Sequence, residues 1–184
     1  MAAARPLPGW WAGAVTAHIA VGDRVVLDAD FRAARARLEI LVRDQMLPVA
    51  CEMAYGEGIT GMVKLAGPAA ALTRLAGIRL GDPAQTGHCT HLPLQWEAIA
   101  ADGKLFTALN ADLMLVSAGD QMTALSLAGA YRPQPGPAGA GLDRTIVRHC
   151  AATAIGSFLA QVACALAHPA GTIGPARAHR AEES

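Results

Sequence analysis

Two different spacings of hydrophobic residues divide this chain. Apolar side chains recur every three or four positions over residues 142–167, whereas they alternate with polar ones over residues 91–131. The first spacing is typical of a helix lying on a hydrophobic surface, and the second of a strand with one buried face. The sequence therefore predicts a sheet followed by a long helix that covers it.

The long helix is predicted between a Pro/Gly-rich break and His168-Pro169. At about 100° per residue, one broad face collects the large apolar side chains. That face carries Val147, Ala151, Ile155, Phe158, Leu159, Val162 and Leu166. The opposite face carries Asp143, His149, Thr153, Ser157 and Gln161. We expect the apolar face to pack on the sheet.

The sheet is clearest as a three-stranded meander over residues 91–98, 105–117 and 122–131. The apolar faces of its first and third strands carry Leu92, Leu94, Trp96 and Ala98, and Leu125, Leu127 and Tyr131. Asp102-Gly103 is a strong hairpin signal between the first two strands. One dry face of this kind is what an antiparallel sheet needs in order to pack on helices.

Upstream of the meander, the pattern predicts one strand and one helix. Residues 14–21 alternate, and Gly22-Asp23 then predicts a turn. Asp28 or Asp30 is placed to cap a helix over residues 31–43. These elements come before the sheet in the chain, and we expect them to pack against it.

The segment after this helix is predicted to be irregular. Pro48 ends or restarts the helix, and a short helical piece follows over residues 49–54. Residues 55–58, Tyr-Gly-Glu-Gly, predict a loop because two glycines one residue apart disfavour a helix. The period then changes to two, which predicts short strands over residues 62–65 and 75–80.

This order predicts an α+β fold in which helices cover one face of an antiparallel sheet. A chain of 184 residues with 53% hydrophobic and 16% charged residues can bury one sizeable core. We therefore expect one domain over residues 14–167. Residues 1–13 are expected to be a flexible N-terminus, and residues 168–184 a disordered tail without an apolar stripe.

Charge and hydropathy exclude some partners and compartments. The 15 basic and 15 acidic side chains cancel, so no net field draws the chain to nucleic acid. Pro6 and Pro8 interrupt the N-terminus, which makes it a poor signal peptide and favours a cytoplasmic location. Residues 150–167 carry no formal charge, yet Thr153 and Gln161 share one side, so we expect a core helix and not a membrane span.

The cysteines and histidines do not form a recognisable site. No CxxC pair occurs among Cys51, Cys89, Cys150 and Cys164, and reduced thiols are expected. His88, Cys89 and His91 suggest a metal, but only Cys89 and His91 share a strand face, and two ligands do not make a zinc site. No GxSxG nucleophile elbow is present. We assign no catalytic residue, no metal and no cofactor.

The order of elements resembles the helix-grip fold of the START-related, Bet v 1-like superfamily (SRPBCC), which includes polyketide cyclases. The resemblance to an actinobacterial branch of uncharacterised members is carried by three segments, LPLQWEAIAADGKLFTALNADLMLV, AGAYRPQPGPAGAGLDR and AYGEG. It implies a curved antiparallel sheet wrapped around the long C-terminal helix. It also implies a cavity between the two that takes a hydrophobic ligand.

If the sheet curves toward the helix, the two dry faces enclose either a filled core or a cavity of roughly a few hundred Å³. The candidate lining residues are Trp96, Leu127, Tyr131, Ile155 and Phe158. Aromatic side chains on a dry face are more often plain core than ligand contacts. Both interpretations therefore stay open for Trp96 and Tyr131.

The mouth of such a cavity has three polar candidates. Arg148, near the start of the long helix, is a candidate anchor for a ligand carboxylate or carbonyl. The alternative is that the helix begins beyond the sheet edge and leaves Arg144 and Arg148 in solvent or in ion pairs. Tyr55 and Glu57 are candidates for the rim, although Glu57 is more simply a solvated side chain.

The preferred function is binding of a hydrophobic or amphipathic small molecule, lipid-like or polyketide-like, without catalysis. No acid and base are paired on one predicted face, which disfavours an enzyme. Two alternatives stay open: a polyketide cyclase or aromatase, and a protein-interaction module with a filled groove. The oligomeric state does not follow from the sequence.

Overall fold

A computed structural model of the chain describes residues 19–66, 74–99, 103–132 and 144–168. These residues form six strands and three helices. In chain order the elements are β1 (Ile19–Asp28), α1 (Phe31–Arg43), α2 (Met46–Ala66), β2 (Arg74–Leu80), β3 (Ala84–Thr86), β4 (Cys89–Ile99), β5 (Leu105–Gly119), β6 (Met122–Tyr131) and α3 (Arg144–Ala167). The predicted N-terminus at residues 1–13 lies outside the described residues, as does the predicted tail beyond His168.

The strands form one antiparallel sheet in the order β1-β6-β5-β4-β2, with β3 paired to β4. The predicted meander is β4, β5 and β6, and the predicted strand at residues 75–80 is β2. Gly103, between β4 and β5, has a φ of +80°, the left-handed conformation that its place in the hairpin signal requires. The predicted α+β fold is confirmed.

The turn predicted at Gly22-Asp23 is wrong, because β1 runs straight through both residues. β1 pairs with β6 from Ile19 opposite Tyr131 to Asp28 opposite Met122. This continuous ladder of interstrand hydrogen bonds outweighs the local turn preference. Residues 14–18 of the predicted strand lie outside the described residues.

The loop predicted at residues 55–58 and the strand predicted at residues 62–65 are also wrong, because α2 continues through both. The packing of α2 explains the glycine at position 58. A Cβ at Gly58 would lie 2.9 Å from the Cβ of Ala154 and 3.0 Å from the carbonyl oxygen of Cys150. The glycine therefore permits close contact between two helices and does not mark a loop.

The two ends of the predicted first helix are confirmed. Asp30 caps α1, where its Oδ1 accepts hydrogen bonds from the backbone N–H groups of Arg32 at 2.9 Å and Ala33 at 3.1 Å. Pro48 does not interrupt α2, because it lies in the first turn, where a missing N–H removes no intrahelical hydrogen bond. The helix predicted at residues 49–54 is part of α2.

The long helix α3 lies across the inner face of the sheet, and every residue of its predicted apolar face is buried. Within the described part of the chain, it is the one helix long and apolar enough to span a membrane, with a mean hydropathy of 1.7. Because 61% of that apolar stretch is buried in the fold, α3 is the core helix.

One residue of the predicted polar face departs from expectation. Gln161 is buried, and its Nε2 donates to the Oγ of Ser157 at 3.2 Å.

The C-terminal end of α3 is held by Arg37 of α1, whose Nη1 donates to the carbonyl oxygens of Leu166 and Ala167. A cation at this position also interacts favourably with the helix dipole.

Candidate functional site

A cleft lies where α2 and α3 cross the inner face of the sheet. The sheet supplies Trp96, Leu109 and Tyr131, and α2 supplies Tyr55, Gly58 and Ile59. The third wall is formed by residues of α3, namely Cys150, Ala151, Ala154 and Ile155. Apart from two phenols and one thiol, these side chains are apolar.

The cleft is nearly closed. The cavity has a volume of about 10 Å³, which is room for about one water molecule. A cavity of a few hundred Å³ is therefore not open in this structure, and the dry faces of sheet and helix meet as an almost filled core.

Trp96 is the centre of an aromatic cluster beside the cleft. Its ring centroid lies 6.2 Å from those of Tyr55 and Phe158, in edge-to-face contacts with interplanar angles of 81° and 84°. Its indole Nε1 donates to the Sγ of Cys51 at 3.1 Å. Contacts on several sides fix the orientation of this ring, because edge-to-face pairs and a hydrogen bond each prefer one geometry.

Two polar groups of the cleft, the Tyr131 phenol and the Cys150 thiol, are neutral. Burial raises the pKa of Tyr131 above its ordinary value, and the neighbouring Tyr55 phenol and Cys150 thiol raise it further. Burial also raises the pKa of the Cys150 thiol. Both groups therefore keep their protons at neutral pH. Such a cleft suits an apolar molecule with an uncharged carbonyl or hydroxyl group.

The predicted lining residues fall into two groups. Tyr55, Trp96, Tyr131 and Ile155 line the cleft. Leu127 and Phe158 are 1% and 0% exposed and belong to the surrounding core. Tyr55, predicted for the rim, is therefore part of the wall.

The two charged candidates lie elsewhere. Arg148 is exposed on α3, one turn before Ala151, and Glu57 is exposed on α2 beside Gly58. Neither belongs to the wall of the cleft.

Sequence reasoning missed the contribution of α2, including Gly58 and Ile59. The prediction of a loop at residues 55–58 hid it. Cys51, Tyr55 and Ile59 recur every four residues, and this spacing is the signal that indicates a continuous helix face. The two glycines outweighed it in a purely local analysis.

The suggested metal ligands do not converge. The ring of His88 packs against Phe31, with centroids 6.2 Å apart. The Nε2 of His91 contacts the Sγ of Cys89, and its Nδ1 contacts Asp112. The imidazole ring therefore lies between the thiol and the carboxylate, and the three groups do not point at one common position. Among the described residues, no group of three or more potential ligands could hold a metal ion.

No family model matches the sequence, and no curated protein matches it either. Among solved structures, TTHA0849 from Thermus thermophilus is similar over 80% of this chain and 97% of that chain, with 15% identity and a TM-score of 0.41. The Zhui aromatase/cyclase from Streptomyces sp. R1128 is similar over 84% of this chain and 99% of that chain, with 7% identity and a TM-score of 0.37.

Both TM-scores are below 0.5, so the fold assignment rests on the elements of this chain. A first strand leads through two helices into a run of antiparallel strands, and a long C-terminal helix then lies across their inner face. This arrangement is a helix-grip α+β fold.

Proposed function

We propose that this protein binds a hydrophobic or amphipathic small molecule, lipid-like or polyketide-like, in the cleft between sheet and α3. The observation that carries the proposal is the chemistry of the wall. Apolar side chains surround the phenols of Tyr55 and Tyr131 and the thiol of Cys150. Such a wall buries a hydrocarbon body and offers hydrogen bonds to a single neutral polar group. The proposal includes a cytoplasmic location, which the four free thiols support.

Because the cleft is nearly closed, binding requires the helices to move apart. We place the opening at the contact between α2 and α3, where Gly58 lies against Ala154 and the Cys150 carbonyl. Small side chains bury little apolar area at this contact, so separating it costs less than separating larger side chains. The ligand then selects the open state by binding it more tightly than the closed one.

A filled interior also favours a second candidate, a protein-interaction module whose groove is occupied by its own side chains. A cyclase or aromatase would use the same two phenols as donors to a ligand carbonyl. Saturable binding of a small molecule separates these candidates, because the interaction module predicts none. Native mass spectrometry of the purified protein would further identify a ligand that stays bound.

The binding test uses the fluorescence of Trp96 during titration with a neutral polycyclic aromatic and with a fatty acid. Ala151→Val places two methyl groups at the wall, whereas Ala160→Val places them at an exposed position of the same helix. We expect saturable binding in the parent and in Ala160→Val, and its loss in Ala151→Val. Circular dichroism would show that both variants are folded. Trp96→Phe should remove most of the signal.

If neither probe saturates in the folded parent, the binding proposal fails and the interaction module becomes the better account. Equal binding by the two valine variants would place any probe site outside the cleft and would also contradict the proposal.

We also propose Arg148 as an anchor at the rim. Arg148→Ala should weaken the fatty acid and leave the neutral probe unchanged. Because the guanidinium is exposed and screened by solvent, the expected loss is at most about 1 kcal/mol. An equal change for both probes would show that Arg148 does not distinguish ligand charge.

A further inference from the structure

A thiol, an imidazole and a carboxylate lie in a row on the outer face of the sheet, opposite the cleft. Cys89 and His91 are two residues apart in β4, so they point away from the buried face that carries Leu92. Asp112 lies in β5, where it pairs with Pro93, the next outward residue of β4. The strand register therefore brings the three groups together.

The distances match a chain of hydrogen bonds. The Sγ of Cys89 lies 3.1 Å from the Nε2 of His91, and the Nδ1 of His91 lies 3.1 Å from the Oδ2 of Asp112. A carboxylate at Nδ1 holds the proton on that nitrogen and leaves the lone pair of Nε2 directed at the thiol. Nucleophile, base and orienting carboxylate have this same order in enzymes that use an activated thiol or hydroxyl.

The thiol itself is not a resting thiolate. Burial raises the pKa of Cys89, and the negative charge of Asp112 raises it further. At neutral pH the sulfur therefore keeps its proton. Any attack by this sulfur needs a base to take the proton during the reaction, and His91 is in hydrogen-bond contact with it.

The surroundings fit a small, soft electrophile. Val116 pairs with Cys89 and is 37% exposed, and Met114 pairs with His91. On the other side, the short strand β3 is exposed throughout. A disulfide suits such an open strand face. In thiol–disulfide exchange the negative charge develops on the sulfur of the leaving thiolate, so the site needs no hydrogen-bond donors to stabilise an oxyanion.

We propose that Cys89, His91 and Asp112 form a thiol-exchange site that takes a low-molecular-mass disulfide. The Sγ of Cys89 attacks one sulfur of the disulfide, and its proton passes to the Nε2 of His91. The disulfide bond breaks, and the leaving thiolate takes the proton from His91 and departs as a thiol. Cys89 is oxidised to a mixed disulfide, and the released half is reduced. Asp112 is a positioning residue, since it acts through His91.

The neighbouring strand β3 adds no ionisable group beside the sulfur. The facing residues of β3 are Ala84, Gln85 and Thr86, none of which ionises. Arg35 of α1 donates to Gln85 and pairs with Glu39, and the His88 ring contacts Phe31. His91 and Asp112 are therefore the ionisable groups in direct series with the thiol.

The chain contains a matched control. Cys164 on α3 is more exposed than Cys89, while Cys51 and Cys150 are buried. Cys164→Ser leaves Cys89 as the accessible thiol, and Cys89→Ser leaves Cys164. The probe is oxidised glutathione at pH 7, and intact mass with peptide mapping of the folded protein gives the rate at each cysteine. Exposure alone predicts that Cys164 reacts faster.

The proposal predicts the opposite order. Cys89 should react faster than Cys164 by about tenfold. This rate advantage is smaller than general-base catalysis usually provides, because a small fraction of any free thiol is already ionised to the reactive thiolate. In the Cys164→Ser background, His91→Gln should remove this advantage at pH 7. The loss should disappear at high pH, where the thiolate forms without a base. Asp112→Asn should lower the rate at pH 7 and change its pH dependence.

Two results would overturn the proposal: a faster reaction at Cys164, or an unchanged Cys89 rate in folded His91→Gln. The site does not rest on the cleft, so its test is independent of the proposed function.

Discussion

Gly58→Ala tests the contact on which the packing of α2 and α3 depends. The new Cβ would lie 2.9 Å from the Ala154 Cβ and 3.0 Å from the Cys150 carbonyl oxygen. The oxygen belongs to the backbone and cannot rotate away. Overpacking of this kind costs about 1–3 kcal/mol, whereas Ala gains about 1 kcal/mol over Gly in a helix. We expect a net loss of up to about 2 kcal/mol.

Gly56→Ala is the matched control in the same helix. A Cβ there meets no atom within 4 Å, and Gly56 is exposed. Only helix propensity then changes, so this variant should be more stable than the parent by about 0.5–1 kcal/mol. Urea denaturation followed by circular dichroism measures both. If Gly58→Ala is as stable as Gly56→Ala, the close contact between α2 and α3 is refuted.

The same variant links stability to binding. Gly58→Ala penalises the closed contact between α2 and α3 and therefore raises the population of the open state. If a ligand enters there, the folded variant should bind the neutral probe more tightly than the parent does. Unchanged or weaker binding would place the opening elsewhere.

Three further predictions concern the core and the helix ends. Phe158→Ala should cost about 3–5 kcal/mol in urea unfolding, because the side chain is 0% exposed, and a loss below about 1 kcal/mol would contradict its place in the core. Asp30→Ala removes the cap of α1 and should lower the free energy of unfolding by about 1 kcal/mol in the same assay. An unchanged free energy of unfolding would contradict the role of Asp30 as a cap. Burial, offset in part by the Trp96 hydrogen bond, raises the pKa of Cys51 from 9.0 to about 12, so unfolding releases a proton in this range and stability falls as pH rises above about 9. The fall is up to about 1.4 kcal/mol per pH unit for this proton, and Cys51→Ala should make it shallower; an equal slope would contradict the assignment.

Elements with a long, uninterrupted period were predictable. The apolar stripe of α3 and the alternation in β4 and β6 each depend on which side of the element faces the core. The spacing of neighbouring hydrophobic residues indicates that side directly. The three-residue strand β3 was not predicted. All of its residues are exposed, so it has no buried face and leaves no hydrophobic pattern.

Glycine produced the errors in α2 and β1. Gly58 permits a close approach between helices, and Gly22 has the Leu127 carbonyl oxygen 3.0 Å from where its Cβ would lie. Both positions need the absence of a side chain because of a distant part of the chain. Locally, the same residue is the usual signal for a loop or a turn.

The candidate sites divide in the same way. Trp96, Tyr131 and Ile155 were predicted as lining because each lies on the apolar face of its own element. The near closure of the cleft was not predictable, because it depends on how closely α2 approaches α3. Cys89 and His91 were recognised as neighbours on one strand face, but Asp112 joins them only through the pairing of β4 with β5.

The sequence by itself determined the order of the elements around the core, the buried face of α3 and the inward faces of the meander, because hydrophobic periodicity is a property of adjacent residues. Only the tertiary structure decided that α2 is continuous, that β1 passes through Gly22, that the cleft is almost filled and that a thiol, an imidazole and a carboxylate stand in series. Each of these depends on a contact between residues far apart in the chain, and local spacing does not encode the distance between them.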